Sequence, residues 1–133
     1  ISPPNDFKDE QYYVHNHQID HNLVITGERT FILINPLWDE PHHMIYLIRN
    51  MGALEIPTGT YHRSISGKEG SIVINQPIRD KFFKPIEEFI PQKLDKVKLI
   101  NARESPPVFW FLENGQIRRF RFNSLERKIK ITI

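Results

Sequence analysis

Frequent chain breakers are the feature that most constrains how this sequence can fold. Ten prolines and six glycines interrupt short runs rich in Val, Ile, Phe and Tyr, and no stretch keeps a 3.6-residue apolar period for three helical turns. Turn signals from Gly, Pro, Asn or Asp separate predicted strands at residues 12–17, 22–26, 30–35, 43–48, 53–56, 61–65 and 71–76. Seven short strands in succession predict an all-β sandwich or jelly-roll barrel.

A short helical turn is predicted over residues 85–89, with Glu87 and Glu88 on its exposed side. This turn closes the run of barrel strands. We therefore divide the chain into a jelly-roll core, residues 1–91, and a C-terminal β extension, residues 92–133, that packs on the same domain.

The C-terminal extension predicts a hairpin. Strands over residues 108–112 and 116–122 flank Asn114-Gly115, and Asn-Gly between two β-type runs is a strong hairpin signal. Residues 128–133 alternate charge with isoleucine, as a further strand does. Six cations crowd this end of the chain, and we interpret them as a solvated strand face rather than as a phosphate or nucleic-acid site: Arg118, Arg119, Arg121, Arg127, Lys128 and Lys130.

The length and composition exclude several classes of protein. A chain of 133 residues can bury the core of one domain, and the absence of cysteine excludes disulfides, thiolate-bound zinc and cysteine nucleophiles. The longest apolar runs fall far short of a membrane span, and no charged segment followed by an apolar one opens the chain. We therefore expect a cytoplasmic protein without a membrane partner.

Two histidine clusters carry the chemistry. The first contains His15, His17 and Asp20, and it is followed after six residues by Gly27. If this segment is a strand, its two histidines point to the same face about 7 Å apart, close enough to share one ligand. In the second cluster, the Pro57-Thr58-Gly59 turn delivers His62 to the start of the next strand.

Together these clusters resemble the paired motifs of the cupin superfamily, in which H-x-H, an acidic residue and a glycine precede P-x-G-x-x-H. The resemblance covers about half of the chain, residues 12–76. It implies a jelly-roll barrel and, in the metal-dependent members, a divalent transition metal held by His15, His17, Asp20 and His62. Such a set of nitrogen and carboxylate ligands suits Fe, Mn, Ni or Zn.

Within the superfamily, the segments around the motifs look most like the dTDP-4-dehydrorhamnose 3,5-epimerases and the dTDP-4-keto-6-deoxyhexose ketoisomerases. This resemblance implies proton transfer next to the ketone of a sugar nucleotide, without a cofactor. His17 is then the base and His15 and His62 are its polar partners, because the ordinary pKa of imidazole lies near neutrality, as a base at this position requires. The tyrosine acid of the epimerases is replaced within Phe82-Phe83-Lys84-Pro85, so we expect no epimerisation at two carbons.

The substrate-binding residues expected for this activity are Arg49, Arg63 and Tyr61, with the arginines holding the pyrophosphate. Three functions stay open: the sugar-nucleotide isomerase, a metal-dependent cupin that acts as an isomerase or dioxygenase, and a non-catalytic cupin that only binds a ligand. A homodimer is expected for each. Trp38 and Trp110 are candidates to stack a base or a sugar, although plain packing is the favoured role.

Overall fold

The computed structural model describes residues 11–123 and 128–132 of the chain. Over these residues the protein is predominantly β, and its strands form one curled sheet that closes into half a barrel. The elements in chain order are β1 (Gln18–Ile34), β2 (His42–Ile48), β3 (Leu54–Ile56), β4 (Tyr61–Arg79), α1 (Pro85–Glu88), α2 (Val97–Glu104), β5 (Val108–Glu113), β6 (Gln116–Asn123) and β7 (Lys128–Thr132).

The two longest strands, β1 and β4, form the antiparallel pair that organises the sheet. Their register runs from Gln18 opposite Arg79 to Ile34 opposite Tyr61. The second half of β1 also pairs with β2, and its first half pairs with β3. β5 then joins β2 in parallel, and β6 and β7 follow as antiparallel neighbours. The C-terminal strands thus continue the same sheet.

Irregular pairing bends β1 and β4 near their midpoints. The register shifts between Val24 and Thr26 and again between Gly27 and Arg29, as expected of β-bulges, which bend a strand. Gly27 has a φ of 75°, and a Cβ there would collide with the carbonyl oxygen of Gly70. Only glycine therefore fits this bend.

The middle of the sheet is buried on both faces, and the sequence of β1 is accordingly a continuous apolar run at residues 31–34. Phe31 and Leu33 belong to one hydrophobic cluster, which we call the inner cluster, with Val24, Ile45, Leu47 and Ile56. Ile32 and Ile34 belong to a second cluster, which we call the outer cluster, with Tyr12, Leu94, Leu99 and Ala102. The alternation of side chains along a strand explains this division. Leu94, in the segment before α2, and α2 itself cover the second face.

The predicted elements agree with the structure in type more than in extent. The strands predicted at 22–26 and 30–35 are one strand, β1, and those at 61–65 and 71–76 are one strand, β4. Glycines interpreted as turns are bulges within these continuous strands. The predicted β5–β6 hairpin is confirmed, with Asn114 and Gly115 both at positive φ, as a type I′ turn requires.

The local structure differs from the prediction at two places. Residues 12–17 do not form a strand: Tyr12 and Tyr13 make single bridges to Gln92 and His62, and the chain then turns into β1. The second difference is α2, which was not predicted and has only a short and weakly apolar face. Among the described residues, no helix has both the length and the apolar character needed to cross a membrane.

Candidate functional site

Two histidines and a carboxylate meet where the curled sheet brings the start of β1 to the start of β4. His15 Nε2 lies 3.4 Å from Asp20 Oδ2, and His62 Nε2 lies 3.6 Å from the same oxygen. The two imidazole rings are 5.0 Å apart between centroids. Only 6% of His15 and 5% of Asp20 is exposed, so three groups that favour contact with water or a cation meet in a largely dry place.

Backbone hydrogen bonds join the two predicted motifs into one structure. The amide of Gly59 donates to the carbonyl of His15 at 2.8 Å, and the backbones of Tyr13 and His62 exchange a pair of hydrogen bonds. Gly59 has a φ of 74°, which favours glycine at the tip of this turn. The proline-glycine turn therefore does more than reverse the chain, because it fixes His15 beside His62.

The hydrogen bonds of His62 fix which ring nitrogen faces the carboxylate. Its Nδ1 donates to the carbonyl of Thr60 at 3.1 Å, which leaves the Nε2 lone pair directed towards Asp20. Burial is the main cause that lowers the pKa of His62 below its ordinary value, so the ring is neutral at pH 7. A neutral imidazole with a free Nε2 is the form that binds a metal or accepts a proton.

A chain of polar side chains holds Asp20 in place. The Gln18 amide donates to Asp20 Oδ1 at 2.6 Å, and Arg79 Nε donates to the Gln18 oxygen at 2.7 Å. Asn75 donates weakly to the same carboxylate oxygen and more closely, at 2.9 Å, to Asn22. Because these donors occupy Oδ1, the other oxygen of Asp20 is left to face both histidines.

Glu88 lies behind His15, and its prediction as an exposed residue was wrong. Only 2% of Glu88 is exposed. Its two carboxylate oxygens accept the amides of Asn16 and His17 at 2.9 and 2.8 Å, and one of them lies 3.7 Å from His15 Nδ1. The helical turn α1 folds back over the first motif, so Glu88 holds the motif loop by its backbone and leaves an acceptor beside the second nitrogen of His15.

The spacing of these groups fits a metal ion. The ligand atoms of His15, Asp20 and His62 all lie within 4.8 Å of one another. Two ligand atoms that are each about 2.1 Å from a metal, at a tetrahedral angle, are separated by about 3.4 Å, close to the two distances measured to Asp20. Two histidines and one carboxylate with open positions form a common set of ligands for divalent transition metals.

A pocket of about 370 Å³ opens beside this cluster. Its wall contains Asp20, His62, Tyr13 and two arginines, Arg29 and Arg63. Arg29 donates to the hydroxyls of Ser64 and Ser71, and burial lowers its pKa. Among the described residues no carboxylate lies within ion-pair distance of either arginine, so the wall offers positive charge to a ligand.

The structure does not bring His17 to this cluster. The prediction that His15 and His17 share one face assumed a strand, and the chain turns at this point instead. His17 lies at the surface, where its Nδ1 is 2.9 Å from Asp80 Oδ2 and its ring is 5.8 Å from Phe82. The hydrogen bond to His17 is the main cause that lowers the pKa of Asp80.

The three residues predicted to bind substrate lie in different places. Arg63 lines the pocket, and its guanidinium is also 5.8 Å from the centre of the Tyr12 ring. Tyr61 packs on the outer hydrophobic cluster with α2, and Arg49 is exposed in the turn after β2. Neither of these two contributes to the pocket wall. Alternation explains Tyr61, since it neighbours His62 on β4 and its side chain leaves from the other face.

Two of the tail cations have a partner within the chain. Arg119 forms an ion pair with Glu40, and Arg121 lies 3.5 Å from the same carboxylate. The guanidinium of Arg119 also lies 5.2 Å from the centre of the Trp110 ring. These contacts favour a structural role for this part of the basic cluster. The side chains of Arg127, Lys128 and Lys130 lie outside the described residues.

No family model, curated protein or solved structure matches the chain. The site is therefore described by its own geometry. Motif spacing pointed to His15, Asp20 and His62, whereas Arg29 and the buried Glu88 were missed. The available signal for Arg29 was weak: a lone cation follows Gly27-Glu28 at a bend, and only the curl of the sheet turns it towards the pocket.

Proposed function

We propose that this protein is a cupin-type jelly-roll enzyme that uses a divalent transition metal to polarise the carbonyl of a small anionic substrate, with keto sugar nucleotides as the substrate class. One observation carries the proposal: His15 Nε2, His62 Nε2 and Asp20 Oδ2 converge in a buried place that opens onto a cationic pocket. A bound metal would act there as a Lewis acid.

Electrostatics favour a cation at this point. The Nε2 lone pair of neutral His62 is directed at a carboxylate oxygen, and the distance of 3.6 Å is too long for a hydrogen bond. A second buried carboxylate, Glu88, lies on the far side of His15. Buried carboxylates are costly unless they are paired or coordinate a cation. A metal ion held by the three ligand atoms would offset this cost.

The groups that would support the ligands are also present. Histidines that bind a metal usually donate their other ring nitrogen to a carbonyl or carboxylate, and this bond sets the orientation of the ring. His62 makes this contact with the carbonyl of Thr60, and Glu88 stands in the corresponding position for His15. Gln18 and Arg79 orient Asp20 in the same way.

The pocket wall suits a substrate that carries phosphate and a ketone. Arg29 and Arg63 can hold phosphate oxygens through charge-assisted hydrogen bonds. Tyr13 supplies a phenol group to the same wall. We assign to its phenolate form the removal of the proton next to a carbonyl that a bound metal would polarise, and to the resulting phenol the return of that proton to the enolate. This arrangement would support isomerisation or proton exchange without the tyrosine that is replaced within Phe82-Phe83-Lys84-Pro85.

Hydrogen exchange in heavy water tests this function. Metal-loaded protein is incubated with a dTDP-4-keto-6-deoxyhexose in D₂O, and the protons next to the ketone are followed by NMR. We expect exchange with the wild-type protein, loss of exchange with a chelator or in Asp20→Asn, and unchanged exchange in Arg49→Gln. Exchange that resists both the chelator and Asp20→Asn would refute the proposal.

A second candidate function is favoured by the contact between His17 and Asp80. A histidine oriented by an aspartate at 2.9 Å is a suitable general base, and it needs no metal. If this dyad is the active group, Asp80→Asn abolishes exchange and Asp20→Asn does not. The metal-dependent function is preferred because the dyad is exposed and does not line the pocket.

A further inference from the structure

A second cavity, of about 310 Å³, opens elsewhere on the curled sheet. We call it the tryptophan cavity and define it by its lining: Leu33, Trp38, His43, Ile45, Leu47, Met51, Ala53, Leu54, Trp110 and Ile117. None of these residues lines the pocket beside His62. The cavity is therefore separate from the proposed metal site.

The floor of the cavity is part of the hydrophobic core. Leu33, Ile45 and Leu47 are buried members of the inner cluster. Trp38 and Trp110 both lie close to His43, with ring centroids 5.6 and 6.2 Å from the centroid of the imidazole. Three rings thus form a wall over an aliphatic floor, and such surfaces favour apolar and aromatic ligands.

The hydrogen bonds of His43 exclude a polar ligand. Its Nε2 donates to the carbonyl of Glu40 at 2.7 Å, and its Nδ1 accepts a hydrogen bond from Trp110 Nε1 at 3.0 Å. Burial is the main cause that lowers the pKa of His43, so the ring stays neutral. The imidazole and the Trp110 indole therefore satisfy each other and leave no group to bind a charged or polar molecule.

We propose that the tryptophan cavity is a binding site for a small uncharged apolar molecule with an aromatic ring. A volume near 310 Å³ lies at the lower end of the range for ligand pockets, which limits the occupant to a molecule smaller than a typical drug. The aromatic wall and aliphatic floor suit such a ligand better than a polar or charged one.

Intrinsic fluorescence tests this proposal, because the two tryptophans of the chain both line the cavity. The probe is N-phenyl-1-naphthylamine, an uncharged aromatic fluorophore. We expect saturable quenching of tryptophan emission with energy transfer to the probe, at one probe per chain. The expected dissociation constant is in the micromolar range, which corresponds to a binding free energy on the order of −8 kcal/mol.

Variants at the mouth of the cavity sharpen the test. Ile117 is half exposed and Ile74, on β4, is similarly exposed but lies outside the cavity. Ile117→Asp places a charge at the mouth and should weaken probe binding at least about tenfold, and Ala53→Phe should do the same by filling space. The control variant Ile74→Asp should bind as the wild type does, and circular dichroism checks that each variant is folded.

Three outcomes would overturn the proposal. One is the absence of saturable binding to the folded wild-type protein. A second is equal binding by Ile117→Asp and Ile74→Asp. A third is a wild-type dimer that Ile117→Asp converts to a monomer, with no probe bound by either form, because the apolar face would then be a subunit interface.

Discussion

Two partly buried histidines at separate places on the same sheet show how hydrogen bonds decide what a histidine can do. His62 on β4 and His43 on β2 both have a lowered pKa, and burial is the main cause for each. Both nitrogens of His43 have partners within the protein. His62 uses only Nδ1 and directs Nε2 towards a carboxylate. Burial alone therefore does not mark a functional histidine, whereas an unused nitrogen beside a second ligand does.

The largest expected effect is a loss of metal affinity when His62 is replaced but not when His43 is replaced. His62→Gln should weaken zinc or manganese binding at least about 100-fold, since it removes one of three ligands. His43→Gln should leave metal affinity unchanged, because both ring nitrogens of His43 already have partners and it does not belong to the ligand group. Isothermal titration of the chelator-treated proteins measures both affinities. Equal losses in the two variants would contradict the assignment of the site to His62.

Glu88 tests whether the group behind the metal ligands matters. Glu88→Gln should weaken metal binding by about 10- to 100-fold, as is usual for partners that orient ligating histidines. Glu87→Gln is the matched control, because the Glu87 side chain lies next to Glu88 on the same short helix but is exposed. NMR of the imidazole nitrogens should show an altered tautomer of His15 in Glu88→Gln alone. An unchanged tautomer with unchanged affinity would remove Glu88 from the site.

The arginines of the pocket are expected to have a smaller effect. Arg29→Gln should weaken pyrophosphate binding to the metal-free protein about tenfold, through loss of charge-assisted hydrogen bonds. Arg49→Gln should have no effect, since Arg49 lies in the turn after β2. Calorimetric titration compares the two. If the loss occurs in Arg49→Gln instead, the anion is bound at another surface.

The stability of the protein should depend modestly on pH through His43, which lines the tryptophan cavity. Because the pKa of His43 is lowered in the folded state, the unfolded chain binds more protons as the pH falls below the ordinary histidine value of about 6.5. The stability contributed by neutral His43 is therefore present at pH 7 and is lost as the pH falls towards the lowered pKa. Urea unfolding of the metal-free protein should show a smaller acid-induced loss in His43→Gln. The same loss in both proteins would contradict this role.

The sequence predicted the three residues of the candidate site better than their environment. His15, Asp20 and His62 follow from motif spacing, because a fixed turn and a fixed strand pairing bring them together. His17 and Glu88 were misplaced for a common reason. Whether His17 shares a face with His15 depends on where β1 begins, and the burial of Glu88 depends on how α1 packs against a distant loop.

For the fold, too, the features set by local sequence were predictable and the long-range contacts were not. Composition and turn signals predict a β-rich chain and the β5–β6 hairpin, since both depend on local conformation. The bends at Gly27 and Gly70 could not be distinguished from turns, because a positive φ serves either purpose. The parallel pairing of β5 with β2 joins strands that are distant in sequence, and no local signal encodes such a pair.

The most direct test of the account is the metal content of the purified, untagged protein beside two variants, His15→Ala and His17→Ala, measured by elemental analysis. The two histidines are two residues apart, and only His15 lies in the cluster with Asp20 and His62. We predict about one transition metal ion per chain in the wild type and in His17→Ala, and almost none in His15→Ala. Metal that is retained in His15→Ala, or no metal bound by folded wild-type protein even after incubation with zinc, manganese, iron or nickel, would contradict the central claim.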